Sequence, residues 1–230
     1  MSRLGVLTGM AREAVVIERA TARAGVVLDV GLGGTDPART RAQAKRLAGA
    51  APDLLVSFGL AGGLVPAYRP GTLILPDAVV DEAGGRWPMA AGWHGALLDR
   101  QPEAGHVDAV VGVDAPVATP CAKYALAAAT GAAAVDMESV ALARAAAEQG
   151  VPMVVVRAVC DPAERAIPEV VQTLLDAQGR VRWRRLPALV PNLPGVLQLA
   201  ADSTRATRSL RRGAAALFQL AEARGRPIAS

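Results

Sequence analysis

The chain has 230 residues, 52% of them hydrophobic and 20% charged, with a formal net charge of +4. That length suits one large domain with a substantial core, and that balance excludes a disordered chain. Cys121 and Cys160 are the only cysteines and His94 and His106 the only histidines, so neither a disulfide framework, nor a paired-cysteine metal site, nor a histidine-rich metal centre is expected. A reducing, cytoplasmic setting fits better.

The elements follow in chain order. RLGVLTGM (3–10) predicts a short buried strand ending in a turn, and 11–25 is helix-compatible, with a helix–strand mixture left open. VVLDVGLGG (26–34) predicts a strand running into a glycine turn. A helix over 35–49 follows, with Thr35 or Asp36 as its cap and Pro37 in its first turn. PDLLVSFGLAGGL (52–64) predicts a buried strand opening into a glycine-rich loop, and 71–82 and 106–116 predict two more strands. AAVDME is strand-like, 139–149 helical, and VPMVVVRAVCDP (151–162) is a continuous apolar strand of the kind buried on both faces.

Strands alternating with helices predict a single α/β domain around a twisted, mixed, mainly parallel sheet. Ligands in such sheets gather at the carboxyl ends of the strands. Glu13, Gly62, Glu138 and Asp161 all lie at such ends. No run is long enough to cross a bilayer, and LGVLTGM is too short for a signal sequence.

Charge is unevenly placed. Residues 180–226 hold ten arginines against Asp202 and Glu222, a net of +8. This segment suits an anionic surface such as lipid headgroups, and an ordinary solvated arginine face is the plainer alternative. Nucleic acid is not expected, because Trp183 and Phe218 are the only aromatics there for base stacking. Within the segment, 187–195 is a Pro-rich hinge. The stretch 195–224 spaces Val196, Leu199, Ala206, Leu210, Ala214, Leu217 and Ala221 as one helical face.

Few motifs survive scrutiny. VGLGGTD places Asp36 where a dinucleotide-binding turn needs its third glycine, and an anion there would oppose a pyrophosphate. There is no phosphate-binding loop with lysine and no nucleophile elbow. In AVDMES (134–139), Asp136 and Glu138 read either as helix punctuation or, for Glu138, as a side chain facing a ligand.

GVLTGMAREA, SFGLAGGLVPAYRPGTLI and AVDMESVALARAAAEQGVPMVVVRAVCDPAE, in that order, resemble the three signature regions of the purine nucleoside phosphorylase and nucleosidase superfamily. GVDAPVATPCAKYALAAATGAAAVDMES, DPAERAIPE and the SLRRG tail narrow the resemblance. They make the chain similar to methylthioadenosine/S-adenosylhomocysteine nucleosidases and, more closely, to hopanoid-associated phosphorylases, the adenosylhopane nucleosidases. The resemblance implies release of adenine from adenosylhopane, a homodimer, and no cofactor or metal. It assigns Glu13 to activating water, Met137 and Glu138 to the ribose, Arg157 to orienting the water and its carboxylate neighbours, and Asp161 to protonating the purine's seven-position nitrogen. Asp136 is then structural. Gly62 and Val117 are expected to line the substrate site.

The chemistry is consistent with those roles. Breaking an N-glycosidic bond develops positive charge on the ribose, which a carboxylate stabilises, and negative charge on the base, which an acid neutralises. That acid must hold or share a proton near neutral pH, which an apolar strand end would favour. Leu60 replaces a serine frequent in the family, and Pro116 and Val117 stand where methylthioadenosine enzymes place an aromatic against adenine. No arginine lies along the chain near Ser57, where a phosphorylase would want one, so water is the expected nucleophile.

Overall fold

In the computed structural model, which describes residues 1–21, 25–168 and 193–225, the apolar runs of the sequence become eight strands of one sheet. They are β1 (Arg3–Thr8), β2 (Val27–Leu32), β3 (Leu54–Gly63), β4 (Leu73–Val80), β5 (Arg86–Pro88), β6 (Gly105–Gly112), β7 (Ala134–Asp136) and β8 (Met153–Asp161). Helices α1 (Ala11–Thr21), α2 (Pro37–Gly49), α3 (Ala91–Arg100), α4 (Pro120–Thr130), α5 (Ser139–Gln149) and α6 (Leu193–Gly225) surround it. The single α/β domain with a mixed, mainly parallel sheet is as expected.

The sheet closes on itself. β3 pairs with β8, β8 with β4, β4 with β6, β6 with β7, and β7 returns to β3. Most of these pairings are parallel; β3–β7 and β4–β8 are antiparallel. β1 and β2 extend the sheet beyond β3, and β5 hangs on β4. β8 lies between β3 and β4, and Val154, Val155 and Val156 are fully buried. That explains the unbroken apolar run: both faces of a central strand are covered.

Local chemistry sets the helix ends. Asp36 caps α2, its carboxylate accepting from Ala38 N, with Pro37 following. Thr119 caps α4 in the same way, accepting from Ala122 N, and Pro120 opens the helix. Three elements were not foreseen: β5, α3 and α4, the last an alanine-rich stretch without a clear apolar stripe.

α6 packs its apolar stripe on β8 and α1. Ala206, Leu210, Ala214, Leu217 and Ala221 are buried, and each leucine so covered contributes about 1.5–3 kcal/mol. Gly213 sits where a Cβ would stand 2.8 Å from Val156 Cγ1, which lets helix and strand approach. Arg205, Arg208, Arg211, Arg212 and Arg224 are exposed, Arg205 pairing with Asp202 and Arg224 lying over the Trp93 ring. Arg180, Arg182, Arg184, Arg185 and most of the 187–195 hinge lie outside the described residues.

Candidate active site

Three carboxylates of distant origin meet at the carboxyl ends of β1, β7 and β8. Glu13 is the third residue of α1 and folds back over the β1 turn. Its Oε2 accepts from Gly9 N at 3.0 Å and Met10 N at 2.8 Å, and its Oε1 from Leu60 N at 2.9 Å. A glutamate reaching back to the N–H before its helix is half of a capping box, so α1 geometry alone aims it. It is 3% exposed, which excludes an ordinary solvated first-turn glutamate. The backbone of Leu60 thus serves Glu13 although its side chain cannot.

Asp136 and Glu138 divide the two readings of AVDMES between them. Asp136 Oδ1 accepts from Glu138 N at 3.1 Å and Ser139 N at 2.8 Å, and so punctuates the start of α5. Its other oxygen accepts from Ser139 Oγ, which lies 2.9 Å from Ser57 Oγ. Glu138 is freed from capping and lines the cavity. Burial raises it from the ordinary 4.5 to about 7, with Arg157 opposing the rise and Asp136 and Glu13 adding to it.

Arg157 is placed to orient its carboxylate neighbours, one half of its expected role, and stands back from the cavity where the water would lie. It is fully buried and does not line the cavity. Nη2 donates to Glu138 Oε2 at 2.9 Å and Ser57 Oγ at 2.7 Å, and Nη1 to Leu60 O at 3.2 Å. Nε lies 2.8 Å from Asp136 Oδ2, close enough to pair charges but off the hydrogen-bond line. Arg157 therefore reaches the site through the carboxylates it holds. It is also the arginine near Ser57 that the linear sequence lacked, though it lies behind the cavity wall.

Asp161 ends β8, and a register shift between Ala61 and Gly62 brings Gly62 opposite it. Gly62 also pairs with Val135, and a Cβ there would stand 3.2 Å from Val135 Cγ1 and 3.3 Å from Asp161 Oδ2. The surroundings of Asp161 are not the apolar strand end expected. Lys123 of α4, 0% exposed, donates to Asp161 Oδ2 at 2.5 Å and to the carbonyls of Pro162 and Arg165 at 2.7 and 3.1 Å. Cys160 Sγ donates to Asp161 Oδ1 at 3.1 Å, and burial keeps that thiol well above its usual range, hence neutral.

These groups border a cavity of about 240 Å³. Glu13, Asp136, Glu138 and Asp161 line it, with Met137, Gly62, Val117, Pro116, Leu60 and Ile167 among its apolar walls. Among the described residues its lining includes no lysine, arginine, histidine or aromatic side chain. Lys123 and Ser139 were not singled out from the sequence, and Ser57 was named only as the place near which a phosphorylase would want an arginine. For Lys123 a signal was present: the chain has only two lysines, Lys45 and Lys123, among 25 lysines and arginines. His94 and His106 do come together, on Asp77, with ligand-type atoms within 4.8 Å of one another, but none of the three borders this cavity.

A closed, mainly parallel sheet with acidic side chains converging on one cavity defines a protein of nucleoside phosphorylase type. Residues 6–182 match the family described as the Phosphorylase superfamily, and the chain belongs to that family. Its fold is similar to 5'-methylthioadenosine/S-adenosylhomocysteine nucleosidase from Neisseria meningitidis, with a TM-score of 0.75 at 14% identity over 96% of this chain and 100% of that one. The S-adenosylhomocysteine nucleosidase of Streptococcus pyogenes gives 0.69 at 16% identity, over 93% and 96% of the two chains. Futalosine hydrolase of Helicobacter pylori gives 0.67 at 14%, over 92% and 97%. No curated protein sequence matches the chain.

Proposed function

We propose that the protein cleaves the N-glycosidic bond of an adenine nucleoside by hydrolysis, and that its substrate is adenosylhopane, yielding adenine and ribosylhopane. The observation that carries this reading is the convergence of Glu13, Glu138 and Asp161 on one cavity. Glu138, held by Arg157, accepts from the ribose hydroxyls and opposes the positive charge that grows on the sugar. Asp161 delivers a proton to the seven-position nitrogen of the departing purine. Glu13 orients and deprotonates the attacking water: three backbone N–H groups occupy three acceptor positions and leave one of roughly four for it.

The cavity's charge favours water over phosphate. Four carboxylates line it and no cationic side chain does, among the described residues, so a phosphate dianion would enter against repulsion. The absence of an aromatic wall among the described residues and the apolar Val113, Pro116, Val117 and Ile167 suit a hydrocarbon-bearing 5' substituent. At about 240 Å³ the cavity takes the nucleoside end and leaves a polycyclic tail outside.

Purified protein should release adenine from adenosylhopane faster than from methylthioadenosine, with a sugar product of unphosphorylated mass in the presence or absence of phosphate. A phosphorylated sugar formed only with phosphate would establish phosphorolysis instead. Faster turnover of methylthioadenosine would favour the second reading, which rests on the fold shared with nucleosidases of that substrate. Binding without turnover on either nucleoside would leave a purine-binding module.

A membrane-resident substrate must be met at the bilayer surface. The basic segment 180–226 supplies charge for reversible contact with anionic lipid at about 1 kcal/mol per engaged arginine, and no described helix is long and apolar enough to span. Anionic but not neutral liposomes should float the protein, less so after Arg180, Arg182, Arg184 and Arg185 are changed to Ser. The same preparation should sediment as a homodimer.

A further inference from the structure

We infer that Lys123 is the proton source of the site: its ammonium group reloads the Asp161 carboxylate, which passes the proton to the leaving base. The inference rests on the reading above and adds a residue to it. Three observations carry it.

The first is position. Lys123 is the fourth residue of α4, near a helix end whose dipole favours anions, and it is wholly buried. A cation there is held against both burial and the helix field, so its partners must offset both costs. The second is saturation. All three N–H bonds are used, on Asp161 Oδ2 and the carbonyls of Pro162 and Arg165. The ammonium therefore has one carboxylate partner and no route to solvent except through it. The third is residue choice. Apart from Lys45 and Lys123 itself, every cationic residue of the Lys and Arg type in this chain is arginine. Arginine makes the better buried ion pair, yet it cannot give up a proton; a buried lysine can.

The step balances. One Nζ–H bond of Lys123 breaks and its proton moves to the Asp161 carboxylate. The carboxyl group gives a proton to the seven-position nitrogen as the glycosidic electron pair passes to the base. Lys123 is left as a neutral amine, Asp161 returns to a carboxylate, and the base leaves neutral instead of anionic. Once the site empties, solvent returns a proton to the amine through Asp161. Lys123 does not line the cavity, so it acts on the substrate only through Asp161. The other titratable or charged groups described around the pair include Cys160 on β8, Glu13 and Arg12 on α1, Asp136 and Glu138 before α5, and Arg165, which pairs with Asp202. Cys160 remains a neutral thiol, which leaves Lys123 as the group able to reload Asp161 directly.

The test compares wild type with Lys123→Arg and Lys123→Met, reading adenine release from adenosylhopane and methylthioadenosine between pH 5 and 9, with circular dichroism to follow folding. Lys123→Arg keeps the charge but not the transferable proton, so kcat should fall about 10²–10⁴-fold while KM changes little. Lys123→Met removes the group that reloads Asp161, so kcat should fall progressively as pH rises from 7 to 9, where wild type, still supplied by Lys123, should not. Near-wild-type kcat in Lys123→Arg, or a Lys123→Met loss that is equal at every pH, would reduce Lys123 to an anchor of the 162–165 turn and overturn the inference. If Lys123→Met does not fold, Lys123→Arg decides alone. No adenine release by wild type would instead overturn the proposed function, and the inference with it.

Discussion

Arg157 and Glu138 are joined by a 2.9 Å hydrogen bond in which neither group has solvent to fall back on: the arginine is 0% exposed and the glutamate 6%. The same guanidinium also faces Asp136 and holds Ser57 and the Leu60 carbonyl. Removing it leaves two buried carboxylates without a counter-charge. Arg157→Met should therefore cost about 3–5 kcal/mol in urea unfolding. Arg157→Lys should recover only part, because an ammonium cannot serve the same fork of partners.

Glu138 makes stability and activity depend on pH in opposite senses. Its folded value, about 7, lies above the unfolded 4.5. The protonated group thus favours the folded state fully below the lower value, and that contribution is lost as pH rises through about 7. The interval corresponds to about 3 kcal/mol, and Glu138→Gln should flatten it in unfolding curves taken across that range. Accepting ribose hydroxyls requires the carboxylate, so kcat/KM should rise over the same window. A wild-type stability profile that matches Glu138→Gln would refute the burial argument.

Glu13 tests whether the nucleophile's base and the α1 turn share one side chain. Glu13→Gln replaces one acceptor oxygen by an NH₂ facing a backbone N–H, leaving a buried donor unsatisfied at about 1–3 kcal/mol. Catalysis should drop by about 10²–10⁴-fold with adenine affinity retained, measured by calorimetry alongside turnover. Retained turnover would remove Glu13 from the chemistry.

Gly59 reports on how tightly the floor of the site is packed. A Cβ there would stand 2.6 Å from Arg157 Nη1 and 2.9 Å from Glu13 Cδ. Both neighbours are pinned by buried bonds and cannot retreat. Gly59→Ala should cost about 1–3 kcal/mol in thermal unfolding and lower kcat together with it. An unchanged melting temperature would mean that the floor yields.

The order of elements was legible because it is written in local pattern. The alternation of apolar runs with Asp36-Pro37 and glycine punctuation places β1, β2, β3, β8 and α2, and helix 139–149 falls at its expected bounds. Glu13, Glu138 and Asp161 stood out because a parallel sheet exposes its strand ends, and strand ends are visible in a chain. Partnership across long separations was not. Lys123 lies in an alanine-rich helix with nothing nearby to mark it, and gains its meaning from Asp161 on another element. That Arg157 would hold carboxylates was expected from the resemblance, but its place behind them and outside the cavity follows only from the closing of β3, β8, β4, β6 and β7. Sequence fixes which groups each element carries and roughly which way it runs. Burial, and with it the strength of every charge pair in this site, depends on which strands become neighbours, and that is a property of the closed sheet alone.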